Sequence, residues 1–402
     1  MKNYSVAECQ KVDFQDTSIA FAYKSNQELR KSWWLFKSMQ YPCLVKTGPK
    51  LVNTALKLHL PIEFLLKEFF FKQFCGGTSL KDIHQTIHLL GKYGVFTLLD
   101  YAVEGEKTEV GFDKCKEQLI KTIEYAEKDP WVCAAALKIT GIGSFSVLEN
   151  YQKNQMSEND NIAFAKILQR LDEICKKAHE LKQTVYIDAE ESWIQNTIDE
   201  LAEQMMEKYN HEYPCVYTTI QCYRNDRLGY FQELIQKARQ KNYFLGIKLV
   251  RGAYLEKENL RAKELKYPTP MNPTKDATDK MFNLCAQIAI EHLDVVYLCA
   301  GTHNEESCQL IIHEMKEKNI APNDVRIFFA QLLGMSDHIS FNLAKAGYRV
   351  CKYLPYGPVE AVLPYLFRRA EENSSVKGQS GREFLLINKE FKRRKSTPLS
   401  LW

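Results

Sequence analysis

The 402-residue sequence is defined first by what it lacks. Its 12 cysteines include no Cys-x-x-Cys pair and no Cys/His spacing of a zinc site. That pattern reads as reduced, mostly buried thiols of a cytosolic-type compartment. No apolar run reaches the roughly 18 residues of a membrane-spanning helix. The opening stretch, Met1-Lys-Asn-Tyr-Ser-Val-Ala-Glu-Cys-Gln10, has neither the apolar core of a signal peptide nor an arginine-rich transit pattern, so a cytoplasmic location is expected. Charge of one sign is scarce: 54 basic residues stand against 50 acidic ones, a net +4. That balance argues against nucleic acid as the main partner. No internal repeat and no low-complexity linker interrupt the chain.

What is present is a core-forming composition, 45% hydrophobic, in a chain long enough for one large domain with a smaller attached unit. Residues 1–94 read as a helical arm. Asn26 to Gln40, Leu51 to Leu60 and Pro61 to Phe74 carry amphipathic patterns, and Ser79 caps a further helix running to Tyr93. From residue 95 short apolar runs alternate with polar helical segments. The runs are Val95–Asp100, Val132–Lys138, Thr184–Asp188, Cys215–Gln221, Tyr243–Val250, Val295–Ala300, Val325–Ala330 and Tyr348–Tyr353. Continuous apolar strands between helices imply a parallel sheet covered on its outer face, and eight such units match an α/β fold of the (β/α)8 barrel type over residues 95–380. Residues 381–402, basic from Lys389 to Lys395, are expected to form a mobile tail.

Barrel chemistry sits at the carboxyl ends of the strands. Those ends carry Asp100, Lys138, Asp188, Gln221, Lys248 with Arg251 and Tyr254, Thr302-His303, and Tyr353. Lys138 and Asp188 could pair, which would make burial of both tolerable. His303 has no second histidine at ligand spacing, so no metal is expected. After the last strand a Pro/Gly turn leads into a helix with adjacent arginines, Arg368-Arg369-Ala-Glu-Glu372. Two neighbouring guanidiniums suit bidentate capture of a carboxylate or phosphate, and Glu372 can steady both from the same helix face. Singly, each of these residues is equally consistent with a satisfied structural ion pair. Gly141-Ile-Gly143-Ser-Phe-Ser146 looks like half of a dinucleotide fingerprint, but the third glycine and the ribose-binding acid are missing.

Taken together, Lys248-Leu-Val-Arg251-Gly-Ala-Tyr254, Tyr353, Arg368-Arg369-x-x-Glu372-Asn373, Ile187-Asp188-Ala-Glu-Glu191 and Thr302-His303-Asn304 resemble the proline dehydrogenase family, in the family's motif order from about residue 95 to 375. The resemblance implies a distorted (β/α)8 barrel with non-covalent FAD at the carboxyl ends of the strands. It implies oxidation of L-proline to Δ1-pyrroline-5-carboxylate, with electrons passed to membrane quinone and a peripheral contact at the inner face of the cell membrane. With no aldehyde-dehydrogenase module in view, a monofunctional enzyme is expected. Residue by residue, it assigns Arg368, Arg369 and Lys138 to the substrate carboxylate and Tyr353 to the proline ring. Glu372 steadies the arginines and Tyr254 lines the pocket. Leu332 or Leu333 supplies an apolar wall, and Glu104 pairs with Arg368 to close the site. Asp188, Gln221, Lys248, Val250, Arg251, Gly252, Ala253, Thr302 and His303 match flavin-contacting positions, Asp188 also lying in the ion-pair network beside Lys138. Many bacterial members carry arginine where this chain has Lys248, so the planar fork is lost there.

The chemistry agrees with the resemblance. Oxidising a secondary amine removes a hydride equivalent that no side chain accepts, so a cofactor is required. Two other readings stay open on the residues alone. One is a Schiff-base barrel using Lys138 or Lys248 as nucleophile. The other is a membrane-associated metabolite sensor without turnover.

Overall fold

In the computed structural model the described residues are 12–41, 47, 52, 58, 70–102, 106–375 and 379–396. Of the expected helices Leu51 to Leu60 and Pro61 to Phe74, only residues 52, 58 and 70–74 are described, and of these Lys72–Phe74 form a short helix. The chain divides into two compact units. Among the described residues, one lies within 98–330 and the other within 12–97 and 331–396.

Each of the eight apolar runs forms a strand: β1 (Phe96–Tyr101), β2 (Val132–Leu137), β3 (Val185–Ile187), β4 (Val216–Gln221), β5 (Leu245–Val250), β6 (Val296–Gly301), β7 (Ile327–Leu332) and β8 (Val350–Tyr356). They close in sequential order into a barrel, with β2 to β7 paired in parallel. Burial on both faces explains why the runs are apolar without alternation; all six residues of β4 are buried. Gly246 lets β5 approach β4, since a Cβ there would lie 2.6 Å from the Val216 carbonyl oxygen.

The helices are α1 (Thr17–Ala20), α2 (Asn26–Met39), α3 (Leu80–Gly91), α4 (Glu109–Lys128), α5 (Phe145–Gln152), α6 (Glu158–Glu180), α7 (Ser192–Tyr209), α8 (Arg227–Lys241), α9 (Leu255–Leu265), α10 (Lys275–Glu291), α11 (Glu305–Glu317), α12 (Asp337–Lys345), α13 (Val359–Ser375) and α14 (Gln379–Ser396). Two helices rather than one link β2 to β3 and β5 to β6. Capping boxes start α2, with Ser25 and Glu28, and α6, with Ser157 and Asp160. The half-fingerprint glycines serve packing: a Cβ at Gly143 would meet the Ile167 side chain at 2.4 Å.

The second unit departs from the expected mobile tail. Residues 379–396 form α14, and it packs on α1 and α2. The basic run is helical because its charges have partners. Glu390, fully buried, accepts from Arg393 and Arg394. Arg394 also donates to the carbonyls of Phe21 (2.8 Å) and Lys24 (3.0 Å) and to Asn26 Oδ1. The Trp33 indole donates to Asn388 at 2.7 Å, and Lys389 to the Gln15 carbonyl at 2.6 Å.

Beneath β8 lies a buried ion cluster. Lys352 is fully buried and sits 2.9 Å from Asp337 Oδ1, while it donates to the carbonyls of Met335 (2.5 Å) and Leu332 (3.4 Å). The other oxygen of Asp337 accepts from the Tyr23 hydroxyl (2.7 Å) and faces Lys24 at 3.6 Å. Burial alone would raise the Asp337 carboxyl, but Lys352 and Lys24 hold it well below the usual carboxylate range. Gln73 donates to the Gly334 carbonyl at 2.7 Å. The turn that carries Leu332 and Leu333 is therefore held by residues of the helical arm.

Candidate active site

In the unit spanning Leu98–Ala330, polar side chains gather where β2 to β6 end. Asp188, one residue past β3, is buried and paired with buried Lys248 of β5. Sequence reading placed Asp188 in an ion-pair network beside Lys138; the structure gives it buried Lys248 as a partner. Lys138 is half-buried at the start of the Ile139–Gly141 turn after β2. The Lys248 ammonium also lies 5.8 Å from the centroid of the Tyr186 ring.

Gln221 ends β4 and is in register with Val250. Its amide nitrogen donates to the Glu190 carbonyl at 2.8 Å, whereas Oε1, equally buried, has no hydrogen-bond partner among the described residues. Beyond β5 the chain turns sharply. The Tyr223 amide donates to the Arg251 carbonyl (2.7 Å), and Gly252 adopts φ +124°. That conformation and the Tyr223 ring, 2.6 Å from where a Cβ would stand, leave glycine alone at this position. Ala253 is exposed and Tyr254 half-buried at the start of α9.

All three guanidinium nitrogens of Arg251 have partners within this unit. Nε donates to Asp279 (2.6 Å), and the two terminal nitrogens to Thr302 Oγ1 (2.6 Å) and Ser307 (2.9 Å). The guanidinium lies 4.6 Å from the Phe282 ring centroid. Thr302 is buried; its hydroxyl also accepts from the Asn304 amide, and His303 is half-buried beside it. The loop after β3 is pinned from outside. Lys257 pairs with Glu191, and Glu258 accepts from the Ser192 amide (2.7 Å) and hydroxyl (2.6 Å).

Sequence reading missed two residues that organise these elements. Asp279, on α10, neutralises Arg251. Glu190 is completely buried and accepts from the Thr140 amide (3.1 Å) and hydroxyl (2.5 Å). Burial pushes its carboxyl up to about 7, against the lowering effect of the two Thr140 bonds. Glu190 stood inside a quoted motif, but nothing in the sequence placed Thr140 against it.

In the second unit Tyr353 is half-buried on β8, and its carbonyl accepts the Leu333 amide at 2.9 Å. Leu332 is partly exposed and Leu333 buried. Arg368 and Arg369 follow on α13; Arg369 is buried, with its guanidinium 5.2 Å from the Tyr365 ring centroid. Glu372 falls on the same helix. Glu104 lies outside the described residues.

The residues fit a flavin. An isoalloxazine presents both N–H and carbonyl groups at one edge. Gln221 leaves a buried acceptor unsatisfied, and Lys248 is a cationic donor one strand away.

A closed α/β barrel with amide and charged side chains at the carboxyl ends of its strands has the layout of the barrel enzymes. A family model described as "Proline dehydrogenase" matches residues 83–382. Proline dehydrogenase 1, mitochondrial, of Dictyostelium discoideum is 32% identical, the match covering 94% of this chain and 74% of the relative. Hydroxyproline dehydrogenase of Xenopus laevis is 30% identical over 95% of this chain and 90% of its own length. Proline utilization A of Bdellovibrio bacteriovorus shares the fold, with a TM-score of 0.72 at 19% identity. That match covers 98% of this chain but only 41% of the larger protein. The chain belongs to the proline dehydrogenase family. Among the described residues, no helix is long and apolar enough to cross a membrane.

Proposed function

We propose that this protein oxidises L-proline to Δ1-pyrroline-5-carboxylate, with FAD as the first electron acceptor and membrane quinone, reached by peripheral contact, as the second. The observation that supports this best is the Lys248–Asp188 pair beside the unsatisfied amide oxygen of Gln221, at neighbouring strand ends of a proline dehydrogenase barrel. FAD, when bound, supplies the hydride acceptor that no side chain provides. Lys248, Gln221, Asp188, Val250, Arg251, Gly252, Ala253, Thr302 and His303 would hold it. Asp188 holds the Lys248 side chain in place by pairing with it.

On the substrate side, Lys138, Arg368 and Arg369 take the carboxylate, with Glu372 orienting the guanidiniums. Tyr353, Tyr254 and the Leu332 wall hold the ring and exclude water, so that a C–H bond of the substrate faces the flavin. Glu104 closes the site on Arg368. The second reading is trans-4-hydroxy-L-proline as substrate, favoured by the Xenopus relative. Tyr353 weighs against it, because a 4-hydroxyl would meet an aromatic face.

The test is the visible spectrum of the purified protein. It should be yellow and bleach on anaerobic addition of L-proline. A colourless protein that cannot be reconstituted with FAD, or a yellow one indifferent to proline, sinks the reading.

A further inference from the structure

Glu190 is a buried acid that the proposed chemistry does not use. It occupies a three-way junction. Its side chain receives both donors of Thr140, in the turn that begins with Lys138. Its carbonyl receives the Gln221 side-chain amide at 2.8 Å. Its own amide donates to Gln195 Oε1 at 2.7 Å. Gln195 in turn donates to Asp199 (2.7 Å), and Asp199 is paired with buried Arg227 at 2.6 Å. The residue is thus anchored from behind by α7 and α8, and it reaches forward to the ends of both β2 and β4.

We propose that Glu190 is a positioning residue: its carboxylate fixes the Lys138 turn against the same backbone segment that fixes Gln221, so that one residue sets the substrate-side cation relative to the flavin-side amide. This rests on the roles given to Lys138 and Gln221 in the proposed function. A purely structural acid would explain burial but not the choice of partners. Helix α7 already anchors the loop through Gln195, and an apolar residue facing Thr140 would fill the space without an acid to satisfy.

The carboxylate is also the form that holds the turn best. Ionised, both oxygens accept from Thr140 in charge-assisted bonds; protonated, one oxygen becomes a donor and must compete for the hydroxyl. The charged groups acting on it are Lys138, which favours ionisation, and Glu191, which opposes it, the latter itself paired with Lys257. The Asp188–Lys248 pair lies two residues away and is self-neutralising. With burial lifting the acid to about 7, the turn tightens as pH rises through neutrality and loosens as it falls.

The experiment uses the full-length flavoprotein and three variants, Glu190→Gln, Thr140→Val and Thr140→Ser, measuring proline KM, kcat and the dissociation constant of tetrahydrofuroate from the flavin spectrum between pH 6 and 8. Losing a charge-assisted bond should raise KM and the analogue's dissociation constant on the order of tenfold in E190Q and T140V. T140S, which keeps the hydroxyl, should stay within about twofold of wild type. Flavin content and kcat should hold, because the Glu190 carbonyl that receives Gln221 is untouched. Wild-type KM should rise as pH drops below about 7, and the E190Q profile should be flat. An active flavoprotein whose KM and pH profile are unchanged in E190Q and T140V overturns the positioning role even if its melting temperature shifts. If E190Q fails to fold, the contrast of T140V with T140S decides alone. A protein that never binds flavin or turns over proline fails at the proposed function, and this role falls with it.

Discussion

Replacing Lys352, itself assigned to neither substrate nor flavin, with methionine should destabilise this protein. Methionine matches the length of the lysine stem, so little cavity is created. What remains is Asp337, buried, deprived of the ammonium 2.9 Å away, and two carbonyls, of Met335 and Leu332, deprived of their donor. Removing one member of a buried pair costs about 3–5 kcal/mol. Tyr23 and Lys24 still serve the second oxygen of Asp337, which argues for the lower end, about 3 kcal/mol. At roughly 2 °C per kcal/mol for a chain of this size, the melting temperature should fall by about 6 °C. The double variant K352M/D337L should recover at least half of that loss, since neither charge is then stranded. The sign of the pH effect follows from Asp337. Its folded carboxyl is held well below the usual range, so its contribution is present above the ordinary carboxylate pKa and is lost only as pH falls through the depressed value. In K352M the acid protonates more readily, so the gap between variant and wild type should narrow as pH drops from 7 towards 4. Calorimetry or urea unfolding reads all of this. A shift of less than about 1 °C, with additive single and double variants, would refute the argument that the cluster is energetically coupled.

Three further outcomes are expected. Arg369→Met should lower kcat/KM for proline about tenfold to a hundredfold while flavin content, read from the absorbance ratio, is retained; wild-type kinetics would reduce the arginine pair to structural charges. L-proline should be preferred to trans-4-hydroxy-L-proline by about tenfold or more in kcat/KM, and Tyr353→Ser should narrow the gap mainly by losing proline affinity; parity in the wild type would show that Tyr353 does not police the ring. Glu190 carries the opposite pH sign to Asp337. Its folded carboxyl is lifted from 4.5 to about 7, so its stabilising contribution is complete below the ordinary value and is lost as pH rises through 7. E190Q should therefore gain up to about 3 kcal/mol of unfolding free energy relative to wild type between pH 5 and 8, and a pH-independent difference would contradict the burial argument.

The barrel was legible because its strands are buried on both faces. Val216–Gln221 and Leu245–Val250 read as runs without regular polar–apolar alternation, and the functional candidates Gln221 and Lys248 stand in their carboxyl-terminal halves. Strand ends give direction but not reach. Spacing could not tell that Lys248 would be bonded to Asp188, because that depends on strand tilt and on which way neighbouring side chains point. Glu190 was hidden for the same reason, since its partner Thr140 is 50 residues away. The helix at Gln379–Ser396 was misread as a tail because its charge run looked solvated. Its buried partner, Glu390, is one acid among several bases, and the carbonyls that receive Arg394 belong to the other end of the chain.

That last contact bears on when the protein can fold during its synthesis. The hydrogen bonds that join α14 to the arm connect residues 355 to 374 positions apart. At roughly 5–20 residues per second, the ribosome needs about 20–70 s to deliver the second partner after the first has emerged. For that interval Leu29 and Phe36, both buried in the finished molecule, lie on α2 before the helix that packs on α2 exists. The barrel strands, closing in sequential order, can form while the arm waits. The arm is therefore the stretch of the nascent chain on which a chaperone has the longest time to act.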